Sequence, residues 1–159
     1  MDFNDQIELV TGASMSDFEH YVQDYTLKSK AVQELFKPRI YQGLEKFEVY
    51  VILHGQFKLE DERKLLETRR RDLQGIYFKY CSCHKANERF IVKNLDIAEM
   101  YYRGHCPCAV AQQDLLKSAR KKNIYLFIKA YPFDNSVREK FMQQADKRLR
   151  TYYLMKHPA

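Results

Sequence analysis

The sequence is poor in residues that break regular structure: five glycines and four prolines in 159 residues. It carries 12 tyrosines and 10 phenylalanines, the opposite balance to a disordered chain, so a packed core is expected. At this length about two thirds of the unfolded surface goes inside on folding. No apolar run approaches the roughly 18 residues of a membrane span; the longest, 49–53 and 124–128, have polar or charged edges. The first twenty residues lack the apolar stretch after a basic start that marks a secretory signal. The expectation is a soluble, intracellular protein, nuclear or cytoplasmic and not secreted.

Cysteine is absent outside one window. The four cysteines lie between positions 81 and 108 as Cys81-Ser82-Cys83 and Cys106-Pro107-Cys108. A secreted disulfide scaffold would spread more cysteines over more of the chain. No long run of lysine or arginine occurs, although the net charge is +6 and the pI near 9.1. A basic balance suits an acidic partner, nucleic acid being the commonest, and equally suits a slightly basic solvated surface.

The chain reads as one α+β domain over 1–159, with a small mixed sheet, flanking helices and a mid-chain metal loop. No internal repeat is apparent. Residues 1–15 read as a loose lead-in. Ser16 with Glu19 reads as a capping box opening a helix that Pro38 stops. Residues 47–54, 76–81 and 123–130 are short, rich in Val, Ile, Phe and Tyr, and read as strands. The charge-dense stretch 59–73 reads as a solvated helix ending at Gly75. Residues 85–103 fit one helix or two short pieces. Residues 109–121 read as a helix turning Ala111, Leu115, Leu116 and Ala119 inwards. Ser136 with Glu139 is a second capping box, opening a last helix with Val137, Phe141, Ala145, Leu149 and Tyr152 inside.

Two Cys-X-Cys pairs are what a structural zinc site needs: four ligands in a tetrahedron, sulfur near 2.3 Å, no open position. Cys81, Cys83, Cys106 and Cys108 are the expected ligands of one Zn2+. His84 and His105 flank them and could replace a cysteine or orient a ligand. The competing reading is four buried thiols in a core.

The strand-like IYFKYCSC, the spacer, and CPCAVAQQDLLKSARK resemble the SWIM zinc-binding domain over 76–121. In that family a strand enters the first pair and a helix starts at the second. Ala111 stands where one subgroup carries an alanine. That subgroup includes the small SWIM subunits of the Shu complex. The resemblance implies a non-enzymatic adaptor that binds a RecA-like recombinase paralogue in homologous recombination and DNA repair. The usual last ligand is histidine; here Cys108 stands in its place.

No nucleophile elbow, phosphate loop, dinucleotide fingerprint or His-Glu-X-X-His helix occurs. His20, His54 and His157 are isolated and read as surface or packing residues. The alternative to the adaptor is a small zinc-containing nucleic-acid-binding protein, regulatory or viral. Its basic face would be Arg69, Arg70, Arg71, Lys121, Lys122, Lys147, Arg148 and Arg150, with Tyr101, Tyr102, Tyr152 and Tyr153 as stacking candidates. A zinc-water enzyme using His84 or His105 is the third reading.

Overall fold

A computed structural model describes every residue except Arg39, Ala119 and Ala159. Among the described residues there are twelve α-helices and no strand. In chain order they are α1 (Phe3–Thr11), α2 (Met15–Asp24), α3 (Ser29–Glu34), α4 (Gly43–His54), α5 (Leu59–Glu67), α6 (Arg71–Tyr80), α7 (Lys85–Ile91), α8 (Leu95–Tyr102), α9 (Ala109–Lys117), α10 (Lys121–Ala130), α11 (Asn135–Gln144) and α12 (Lys147–Lys156).

The expected α+β fold is therefore corrected to an all-helical one. The three segments read as strands fall in α4, α6 and α10. A window of six to eight residues is too short to separate the two periods when aromatic and β-branched residues crowd it. Extended upstream, the helical period shows. Leu73, Gln74, Tyr77 and Phe78 are buried in α6, and Asn123, Ile124, Phe127 and Ile128 in α10, pairs of neighbours one turn apart.

Several boundaries move too. Residues 3–11 are helical rather than a lead-in, capped by the Asp2 carboxylate on the Asp5 N–H at 2.9 Å. The cap of α2 is Ser14, not Ser16, and Asp134 caps α11 where Ser136 was expected. The stretch 59–73 breaks at Thr68 into α5 and α6. The last helix breaks at Asp146, whose carboxylate accepts from the Leu149 N–H at 2.8 Å. That break buries Tyr153 rather than Tyr152. Ala119, expected inside α9, lies outside the described residues.

The chain divides into two compact units, Met1–Cys83 and His84–Ala159. In the first, α1, α3 and α5 pack in succession to form one layer, and α2, α4 and α6 form a second. In the second, α7, α9 and α11 form one layer and α8, α10 and α12 the other. Each unit is a stack of three helical hairpins, each touching its neighbours, which is the construction of helical-repeat proteins. The chain thus has an internal repeat, contrary to the sequence reading. Its period wanders because the turn inside a hairpin runs from two residues (145–146) to eight (35–42).

A hydrogen-bond signature recurs where one hairpin passes to the next. The N–H groups of Leu27, Phe57 and Phe133 donate to the hydroxyls of Tyr50, Tyr77 and Tyr153 at 3.1, 3.0 and 3.1 Å. Tyr77 in turn donates to Glu62 at 2.6 Å, and Tyr101 to Glu88 at 2.7 Å. Burial pushes the Tyr77 phenol far up, and the Glu62 charge adds to it, so the hydroxyl stays a donor. At Pro107 the loop has no N–H to give. There the helix carries Phe127 instead of tyrosine, and Gln112 instead of glutamate. With no hydroxyl to serve it, a buried carboxylate would be costly. The neutral Gln112 amide accepts from the Asp134 N–H at 2.8 Å and donates to the Pro107 carbonyl at 2.9 Å.

Among the described residues of the first unit one cation is buried. Lys46, fully inaccessible, donates to the carbonyls of Leu9, Val10 and Gly12 at 3.1, 2.9 and 2.7 Å. Those carbonyls form the negative end of α1.

Candidate nucleic-acid interface

The cysteine pairs occupy the links between hairpins, but in different phase. In the four residues before α7 (81–84), cysteine takes the first and third places; in the four before α9 (105–108), the second and fourth. The third place is held elsewhere by Leu27, Phe57, Pro107 and Phe133, all buried. Cys83 fills the same core position, and Cys81, the C-cap of α6, is buried beside it. Cys106 is exposed, and Cys108 is the half-buried N-cap of α9, its N–H held by Glu88 at 3.0 Å. His84 is the N-cap of α7, and His105 stacks on Tyr101 with centroids 5.0 Å apart.

Each unit thus holds one pair of thiols, and the described residues of neither gather three or more His, Cys, Asp or Glu groups able to hold a metal ion. A pair alone does not close a tetrahedral shell, so no role of zinc is derived. The strand that should enter the first pair is the end of α6. The helix expected at the second pair is present as α9, with Ala111 buried in it.

His54 and His157 do the packing work expected of isolated histidines. Each places Nε2 2.6 Å from a carbonyl of the neighbouring even-numbered helix, Val22 and Ile128 respectively.

The expected basic face divides between the units. Arg69 and Arg71 are exposed at the α5–α6 turn. Arg70 is engaged locally: it grips Asp72 through two bonds at 3.1 and 3.0 Å and reaches the Phe36 carbonyl at 3.4 Å. Arg150 is half-buried and turned to the Met142 carbonyl at 3.4 Å. Lys121, Lys122, Lys147 and Arg148 are exposed in the second unit.

Around these four the second unit adds Arg89, Lys93, Lys117 and Arg120, which sequence motifs alone did not single out. All eight lie where an odd-numbered helix gives way to an even-numbered one. Arg89, Lys93, Lys117 and Arg120 line one cleft with Asp114 and Ser118, about 540 Å³ in volume. Lys121, Lys147 and Arg148 line the next with Asp146, Tyr125, Thr151, Tyr152 and Met155, about 880 Å³. Because each cleft draws on two successive turns, the three hairpin turns of this unit share one edge.

The carboxylates on this edge are already engaged. Arg89 holds both oxygens of Asp114, one at 3.2 Å, and keeps that carboxyl below its usual range. Lys121 pairs with Asp146 at 2.8 Å, which lowers the carboxyl and raises the ammonium. Among the described residues, Lys93, Lys117, Arg120, Lys122, Lys147 and Arg148 have no such partner. The signal that could have found this edge is the distribution of charge along the chain. Residues 84–159 hold 15 lysines and arginines against seven aspartates and glutamates, a net +8, whereas no basic residue precedes Lys28.

Comparison with protein-family models, with curated proteins and with solved structures finds no match. No helix of the described residues is long and apolar enough to cross a membrane.

Proposed function

We propose that this chain is a non-enzymatic helical-repeat protein whose second unit binds nucleic acid along its basic turn edge. The observation that supports it most is the edge itself: cations from three successive turns, with the local carboxylates already consumed by Arg89 and Lys121. Such a surface matches a regularly charged polymer, which carries one phosphate about every 3.4 Å of each strand. The test is fluorescence anisotropy of a labelled 20-nucleotide strand and a 20-base-pair duplex over a salt series. Binding that weakens with a steep log-log salt slope supports the reading; a slope near zero removes it.

A protein-binding adaptor is the second reading, favoured by apolar exposure in the first unit. Tyr25, Ile52, Leu53 and Tyr80, each at least 40 % exposed, sit at the C-terminal ends of α2, α4 and α6. Ile52→Asp with Leu53→Asp should then release a co-purifying protein that variants of the basic edge retain. The recombinase partner and the repair role came with the SWIM resemblance. That resemblance needs a strand where α6 stands, so neither is carried forward.

A further inference from the structure

We infer that the ligand of this edge is a single strand, its bases stacking on Tyr125 and Tyr152 in the cleft between α10 and α12. This inference rests on the reading of the turn edge as a nucleic-acid surface and adds which form of nucleic acid it takes. The argument starts from the shape of the larger cleft. Its floor is apolar and aromatic, with Tyr125 and Tyr152 half-buried, their ring centroids 5.1 Å apart at 59°, and Met155 73 % exposed beside them. Its rim is Lys121, Lys147 and Arg148. A duplex offers a protein its phosphates and groove edges, while its base faces are covered by stacking. A single strand offers phosphates and bare base faces together, and aromatic platforms inside a basic groove are how such strands are held.

The second cleft supplies the continuation. Its described lining holds no aromatic ring: Arg89, Lys93, Lys117 and Arg120 surround the occupied Asp114, with Ser118 beside them. The clefts adjoin where Arg120 is followed by Lys121 in the chain. A strand would leave its bases in the α10–α12 cleft and run its phosphates across Arg120 towards Lys93. Neighbouring helices pack about 8–10 Å apart, so three turns span roughly 20 Å, and the cations on this edge without a carboxylate partner, Lys93, Lys117, Arg120, Lys122, Lys147 and Arg148, allow up to about six phosphate contacts. The Tyr-Tyr doublets do not share this role: Tyr101 and Tyr153 are buried in the core, and Tyr152 alone of the four lines the cleft.

The experiment measures anisotropy of labelled 12-nucleotide oligo(dT), 12-nucleotide oligo(U) and a 12-base-pair duplex with the full chain. Three variants are compared: Tyr125→Leu/Tyr152→Leu, which keeps apolar bulk; Lys93→Gln/Lys117→Gln/Arg120→Gln; and the two sets combined. Circular dichroism confirms retained helix in each. The expected parent slope on single strands is about −4, from six contacts at about −0.7 each. The tyrosine variant should lose about tenfold or more on the single strands, from one or two lost base stacks, with duplex affinity unchanged. The cation variant should weaken all three ligands and flatten the slope by about 2. The dT and U arms show whether the 2′-hydroxyl contributes. If the tyrosine variant binds the strands like the parent while the cation variant fails, the stacking inference falls and the nucleic-acid surface stands. If neither variant changes binding, both fall.

Discussion

The two units share one construction and differ in charge. Both stack three hairpins in two helical layers, and in each a buried tyrosine hydroxyl holds a link between hairpins, Tyr77 in one and Tyr153 in the other. Yet residues 1–83 hold 12 basic against 14 acidic side chains, net −2, and residues 84–159 hold 15 against seven, net +8. The framework is set by buried positions that tolerate either balance. Charge sits on turns and exposed faces, where it is free to serve a ligand. The comparison separates what folds the protein from what it binds.

That separation can be broken or sharpened in four ways, taken from the largest expected effect. Lys46→Met removes the cation that satisfies three α1 carbonyls and should cost about 2–4 kcal/mol, since buried acceptors are left without a donor. Urea unfolding followed by circular dichroism should show the loss, with no change in affinity for a nucleic-acid strand. Next, Lys93→Gln/Lys117→Gln/Arg120→Gln in the second unit should weaken strand binding at least tenfold at moderate salt, about 1.4 kcal/mol. The matched change Arg69→Gln/Arg71→Gln in the first unit should shift it less than twofold. Equal losses would abolish the distinction between the units.

The third test concerns the shared framework. Tyr77→Phe removes the hydroxyl that donates to Glu62 and accepts from the Phe57 N–H, two buried hydrogen bonds, and should cost about 1–2 kcal/mol. Phe127→Tyr should also destabilise, because Pro107 has no N–H to offer the new hydroxyl. Chemical denaturation of both variants checks this; a stabilised Phe127→Tyr protein would refute the pairing rule. The fourth and mildest is pH. Burial raises the phenols of Tyr77 in the first unit and Tyr102 in the second above the ordinary value of 10.0. An unfolded tyrosine ionises near pH 10 while these stay protonated, so the unfolded chain holds fewer protons and stability falls as pH rises past 10. Helicity against pH should be flat through neutrality and decline above pH 10.

The sequence allowed a packed, aromatic-rich chain to be read, along with the segments that carry it. Of the residues expected inside, Ala111, Leu115, Leu116, Val137, Phe141 and Leu149 are buried, while Ala145 and Tyr152 are half-buried. What it hid was the period. The stretch 123–130, NIYLFIKA, holds the residue types of a strand and the spacing of a helix, and the spacing shows only in which of its crowded apolar residues are buried, Ile124, Phe127 and Ile128 with Asn123. The hairpin repeat was hidden because its link residues share position and not identity: Leu27, Phe57, Cys83, Pro107 and Phe133 fill one place with five side chains. The cysteines drew attention as a motif, while Cys83 occupies a core position that phenylalanine fills elsewhere. Half of the basic edge was legible, in Lys121, Lys122, Lys147 and Arg148. The other half came from α7 and α9, whose charges join it only when hairpins stack.

Lysine acetylation footprinting by mass spectrometry, on the full chain with and without saturating single strand, tests the segregation of function most directly. The account predicts protection of Lys93, Lys117, Lys121, Lys122 and Lys147, with Lys28, Lys30, Lys37, Lys58 and Lys64 modified at unchanged rates. Protection spread evenly over both sets, or confined to the first unit, would contradict it.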